Sequence, residues 1–230
     1  MSIRQALLAA DLRGRHASTC FDARLGGRQQ GMNILALPRA GAAAAFGVAT
    51  AIRGTRILHP CGTVYECSLT VESTGAWGAR VLDRPAEHVG VVRLSRSVGL
   101  PEPLPDIEGL ALRLPGLGAD GRPLDVLVVS AVRFAFVPSG ISRTWSSILP
   151  YRTGSGRLVL IGTRPDEHGF EMVATGLTGP WRRWGHLRLR AALGEPDMRT
   201  EPTLGADDLT PVSLFRRFRA EAYVASQSAR

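Results

Sequence analysis

The chain has 230 residues, 44% of them hydrophobic, which is enough for one domain with a real core, and no apolar run approaches the ~20 residues that a membrane span needs. Its formal charge of +8 rests on 28 basic residues, all Arg and none Lys; they are scattered rather than blocked, which argues against a dedicated nucleic-acid surface. Three cysteines (Cys20, Cys61 and Cys67) with no Cys-x-x-Cys pair argue against a disulfide framework and a structural zinc site.

The first residues, Met1 to Asp11, lack the sustained apolar core of a secretory signal, so a cytoplasmic protein is the expectation. Ile3, Leu7, Leu8 and Leu12 follow a weak helical period, with Ser2 as a candidate N-cap. Residues 13–38 are irregular, broken by Gly26, Gly27 and Gly31. Residues 39–53 look helical and end near Gly54. From Thr55 to Ala79 the pattern turns strand-like, rich in β-branched and aromatic residues and without a helical period. Further strand candidates are 89–95, 109–114, 126–136, 158–163, 170–177 and 186–193, separated by Gly and Pro. No helix-length connector lies between them, which predicts an antiparallel sheet or barrel. Asp120-Gly121 is a hairpin signal. Thr210-Pro211, a hydroxyl followed by proline, reads as a helix start, and the helix is expected to continue to the last residue. The expected fold is α+β in a single domain: an N-terminal helical segment over 1–53, an antiparallel β-barrel core over 54–193 and a C-terminal helix over 210–230.

Three places carry candidate chemistry. On the C-terminal helix, Arg219, Tyr223, Gln227 and Arg230 fall on one face. An Arg four residues before a Tyr can donate to the phenolic oxygen and favour the phenolate, a possible ligand for ferric haem. An amphipathic helix whose Tyr packs on the barrel accounts for the same spacing. In the first strand, His59, Cys61, Thr63, Tyr65 and Cys67 share a face if the strand is regular. A His facing into a barrel can act as an acid or base on a ligand there, although a structural His is the more common outcome. In the run Val91 to Ser95, Arg93 and Ser95 share a face, and Ser95 can fix an imidazole tautomer by accepting its second N–H.

The order of these segments resembles the haem-catalase superfamily. Arg56-Ile-Leu-His59-Pro-Cys-Gly62 is similar to the catalase run Arg-Val-Val-His-Ala-Lys-Gly, and Val92-Arg93-Leu94-Ser95 to Val-Arg-Phe-Ser. Pro105-Asp106-Ile-Glu-Gly109-Leu-Ala-Leu-Arg113 resembles Arg-Asp-Pro-Arg-Gly-Phe-Ala-Val-Lys, and Asp125-Val-Leu-Val stands where the family has Asp-Leu-Val-Gly. Arg219-Ala-Glu-Ala-Tyr223 resembles Arg-Leu-Phe-Ser-Tyr, with Arg230 seven residues on. The close match covers residues 54–136 and 210–230; residues 137–209 match weakly.

The resemblance implies a b-type haem with its iron on Tyr223, the phenolate stabilised by Arg219. It implies that His59 is the distal acid/base residue, held by Ser95, and that Arg56, Arg93 and Arg230 meet the propionates. It also implies an enzyme acting on hydrogen peroxide or an organic hydroperoxide, and at least a homodimer. The family's distal Asn lies in a Gly-Asn-Asn stretch that here reads Val128-Val129-Ser130. Losing that donor favours a larger, more apolar substrate over efficient dismutation, with Ser130 the one remaining hydroxyl. A haem enzyme of a biosynthetic pathway and a non-catalytic binding barrel are the alternatives.

Overall fold

The computed structural model describes residues 61–72, 76–96, 106–138, 140–194, 198, 200–201 and 205–212. The helices expected over 2–12 and 39–53, and residues 213–230, lie outside them. Eleven strands form among the described residues: β1 (Cys61–Val71), β2 (Ala86–Arg96), β3 (Glu108–Leu114), β4 (Leu124–Val132), β5 (Ala135–Phe136), β6 (Trp145–Ser146), β7 (Tyr151–Thr153), β8 (Leu158–Asp166), β9 (Gly169–Gly176), β10 (Arg182–Gly194) and β11 (Leu209–Pro211).

Eight of them run β1-β2-β3-β4-β6-β8-β9-β10, every neighbour antiparallel, and β10 pairs back onto β1 to close a barrel. Closure follows from the alternation in the sequence. Tyr65, Cys67, Leu69 and Val71 of β1 face the interior, with Val92 and Leu94 of β2, Leu110, Leu112 and Leu114 of β3, and Leu124, Val126 and Val128 of β4. Trp145, Tyr151 and Phe170 are fully buried in the same core, with the Trp145 and Phe170 rings 5.7 Å apart and tilted. An eight-stranded barrel has an interior that side chains can just fill, and these do so. These side chains fill the middle of the barrel; His59, for which a place facing a ligand is expected, lies outside the described residues.

All seven strand candidates contain a strand; of the first, expected over 55–79, Cys61–Val71 is strand, residues 55–60 lie outside the described residues and residues 76–79 are not strand. The sequence reading missed β6, β7 and β11, each too short to show an alternation. The Asp120-Gly121 signal does join two antiparallel strands. It does so inside a longer connection, with a 3₁₀ turn over Ala119–Gly121 and Asp120 at φ 55°. The expected helix start at Thr210-Pro211 is overturned: both residues belong to β11, with Thr210 opposite Arg152 and Pro211 opposite Tyr151. Leu209 is fully buried and draws this segment onto the sheet, and proline is tolerated because β11 is an edge strand. Among the described residues the only α-helix is α1 (Arg80–Asp83). Its Asp83 carboxylate accepts the backbone N–H groups of Ala76, Trp77, Gly78 and Ala79 and so closes the β1–β2 connection.

One ion pair ties β3 to β4. Arg113 and Asp125 stand opposite each other, with Nε to Oδ1 at 2.8 Å and Nη2 to Oδ2 at 2.7 Å. Asp125 is buried and also accepts the backbone N–H of Glu201. Removing the carboxylate takes this bidentate pair from the half-buried guanidinium and the acceptor from the Glu201 amide. Asp125→Ala should therefore cost about 3 kcal/mol in denaturant unfolding, and Asp125→Asn clearly less.

Candidate functional site

Of the residues implicated from sequence, the described part of the chain contains Arg93 and Ser95. Arg56, His59, Arg219, Tyr223 and Arg230 lie outside it. The β-sheet register sets what surrounds the two. Gly62, Ser95, Gly109, Val129 and Ser146 form one row across β1, β2, β3, β4 and β6. Val64, Arg93, Ala111 and Leu127 form the next. Both rows alternate with the interior residues, so they face outward from the barrel, with Val64, Ser95, Gly109 and Ser146 themselves buried and the rest half-buried.

This surface is shallow because its centre is built from Gly62, Gly109 and Ala111. Gly62 is required there: a Cβ would come within 2.7 Å of the Leu94 carbonyl oxygen and 2.8 Å of the Arg93 guanidinium carbon. The Arg93 guanidinium therefore lies directly over Gly62. Arg93 is half-buried, as are the apolar Leu127 and Val129, which stand two strands away on β4. Ser95 is nearly buried, and its hydroxyl donates to the Gly109 carbonyl oxygen at 3.4 Å. A hydroxyl committed as donor meets a further partner as acceptor, the role the sequence reading gives it toward an imidazole N–H.

Alternation also separates Val128, Val129 and Ser130. Val129 shares the face of Arg93 and Ser95; Val128 points into the core. Ser130 is fully buried, donates to the Val137 carbonyl oxygen at 2.7 Å and accepts the Glu108 N–H at 3.1 Å. Its hydroxyl is therefore spent within the fold, which corrects its candidacy as a substitute donor. Two other resemblances also have structural uses: Asp125 pairs with Arg113 as above, and Asp106, fully buried, lies 3.8 Å from Arg96.

The described histidines are His88, His168 and His186, and none lies in these two rows. His88 is on β2 opposite Leu69, on the inward-facing side with Val92 and Leu94 near the strand's start, and partial burial holds its imidazole below the usual histidine range. His186 pairs with Asp166 at 2.6 Å in a polar groove with Arg183, Arg188 and Arg190. The sequence reading did not single out this cluster, although His186, Arg188 and Arg190 alternate on one strand. Much of its charge is internally matched, Arg183 to Glu72 and Arg190 to Glu87. Among the described residues no three His, Cys, Asp or Glu side chains group to hold a metal ion, and no helix is long and apolar enough to cross a membrane.

No family model and no curated protein matches the sequence. Among solved structures the fold is similar to that of a fungal catalase, with a TM-score of 0.53 and 12% identity over 86% of this chain and 63% of that one. It is also similar to that of a bacterial catalase, with a TM-score of 0.51 and 12% identity over 85% of this chain and 60% of that one. The chain thus spans less than two thirds of the length of either. At this identity the likeness carries the fold, a closed eight-stranded antiparallel barrel of the catalase type, with few helices among the described residues.

Cys67 is fully buried in the barrel interior, and burial pushes its thiol up to about 12. In a Cys20→Ser, Cys61→Ser protein, a thiol reagent at pH 8 should label Cys67 only on unfolding. Above about pH 9 the unfolded thiol ionises while the folded one keeps its proton to about 12. Stability should therefore fall as pH rises through that window, by at most about 1.4 kcal/mol per unit relative to Cys67→Ala, read from denaturant midpoints.

Proposed function

We propose that this chain is a haem-dependent enzyme acting on an organic hydroperoxide, with hydrogen peroxide the poorer substrate. The observation that carries the reading is the outer barrel face: Arg93 and the buried Ser95 stand side by side on β2, flanked by Gly62 on β1 and by Gly109 and Ala111 on β3, with the apolar Leu127 and Val129 beyond them on β4. A planar macrocycle with acidic substituents fits such a face, because small residues admit close approach and the Arg meets a carboxylate. The catalase-type fold, and the order of motifs from Arg56 to Arg230, support the same reading.

In this reading Tyr223 holds the iron and Arg219 keeps its oxygen anionic. Arg93, with Arg56 and Arg230, binds the propionates. Haem b, when bound, supplies redox-active iron for cleavage of the O–O bond. His59 moves a proton between the two peroxide oxygens, and Ser95 holds its imidazole in one tautomer by accepting the second N–H. Val129 excludes water from the face and offers no hydrogen bond to a small peroxide. That loss weakens orientation of hydrogen peroxide and leaves apolar room for a substituent on the substrate.

Titration with hemin should give a Soret band in the wild-type protein and an altered spectrum in Tyr223→Phe. Arg93→Ala should bind hemin roughly 10- to 100-fold more weakly, the worth of one charge-assisted pair. No hemin uptake by the wild type sinks the reading. Val129→Asn should raise kcat/KM for hydrogen peroxide relative to an organic hydroperoxide by about tenfold or more. Ser130→Asn, on the inner face, should not; equal effects from both would contradict the assignment of faces.

A further inference from the structure

The connection that follows β4 exposes an apolar surface that neither the core nor the outer site uses. Val132, Phe134, Phe136 and Ile141 are 53%, 49%, 56% and 68% exposed. Four large apolar side chains left in water on one short connection mark an interaction surface. The hairpin that carries three of them is well formed: Ala131 pairs with Phe136 and Val132 with Ala135. At its tip Arg133 adopts φ 52°, a left-handed conformation that is uncommon for a side chain of this size. The Arg133 guanidinium fixes it there by donating to the carbonyl oxygens of Gly176, Leu177 and Gly179, and lies 6.0 Å from the Trp181 ring centre. The tip is thus held in place by the barrel and presents Phe134 outward.

Its partners being carbonyls, Arg133 keeps its full charge. The surrounding sequence adds no counter-charge: no carboxylate occurs between Asp125 and Asp166, or between Glu171 and Glu195. Arg143 and the exposed Arg182 fall in those same stretches. The surface is therefore apolar at its centre and cationic around it.

Charge decides among the occupants. Residues 1–60 carry eight Arg and two Asp, and residues 213–230 carry four Arg and one Glu, so each segment as a whole is net cationic, like the rim of the patch, with residues 40–52 the longest stretch without charge. A second copy docked through the same patch would bring like charge to it. The complement is an anionic surface with an apolar interior. Bases of a single-stranded nucleic acid stack on aromatic faces but gain little from Val132 and Ile141, whereas acyl chains accept all four side chains.

We propose that the β4–β5 hairpin is a peripheral membrane anchor. It seats Val132, Phe134, Phe136 and Ile141 in the interface of an anionic bilayer, with Arg133 and Arg143 against the headgroups. The proposal rests on this surface alone and is independent of haem binding.

The test is co-sedimentation of the full-length protein, without added hemin, with phosphatidylcholine vesicles and with vesicles that also contain phosphatidylglycerol. Binding to the anionic vesicles, weak binding to the neutral ones and release by high salt are expected. Phe134→Ser/Phe136→Ser should weaken partitioning by roughly tenfold or more while leaving circular dichroism and thermal unfolding unchanged, since both side chains are exposed. Arg143→Gln should lower binding to the anionic vesicles only. Absence of vesicle binding overturns the proposal, as does binding that the double variant retains in full. So do a wild-type dimer that the double variant makes monomeric, or retention on single-stranded DNA that it abolishes, if vesicle binding is absent in either case.

Discussion

Closure of eight antiparallel strands around an interior filled by side chains is the constraint on which the rest of this structure depends. The middle of a barrel of this size has no room for a ligand once Trp145, Tyr151, Phe170 and the leucines of β3 and β4 occupy it. Along these strands, the residues left over for a ligand are the outward ones of each alternating pair. That single rule turns strand register into a functional statement. It sets Arg93 and Ser95 beside Gly62, Gly109 and Val129, and it withdraws Val128 and Ser130 from the same surface.

Much of this was legible from the sequence, and for a physical reason. Long half-buried strands write their alternation into the chain, and each of the seven expected segments contains a strand. Very short strands do not: Trp145-Ser146 and Tyr151–Thr153 hold their places through pairing with β8 and through buried aromatic rings. Thr210-Pro211 shows the limit of local signals. A hydroxyl followed by proline suits a helix start, but it equally suits an edge strand, and the burial of Leu209 decides for the strand. The motif reading found Arg113 and Asp125 separately, as parts of two resemblances; only the register shows that they form one ion pair. It also treated Ser130 as available, because the carbonyl oxygen of Val137 that takes its proton cannot be seen without the β4–β5 turn.

The two proposed surfaces meet on one strand. Leu127 and Val129 of β4 line the outer face, and β4 then runs into the aromatic hairpin, so Val129 and Val132 are roughly 10 Å apart along the chain. A hairpin seated in a lipid surface would bring the outer face close to apolar hydroperoxides dissolved there. That agrees with an apolar Val129 in place of a polar donor.

The central claim is that the cofactor lies against the outer face of β1 to β4, and a bulky residue in the middle of that face tests it most directly. A hemin titration of Val129→Trp, followed by Soret absorption beside the wild type, is the measurement. Val129 is half-buried on the outside of the barrel, so the variant should fold and yet fail to take up hemin. Uptake by Val129→Trp as tight as by the wild type would place the cofactor elsewhere and contradict the account.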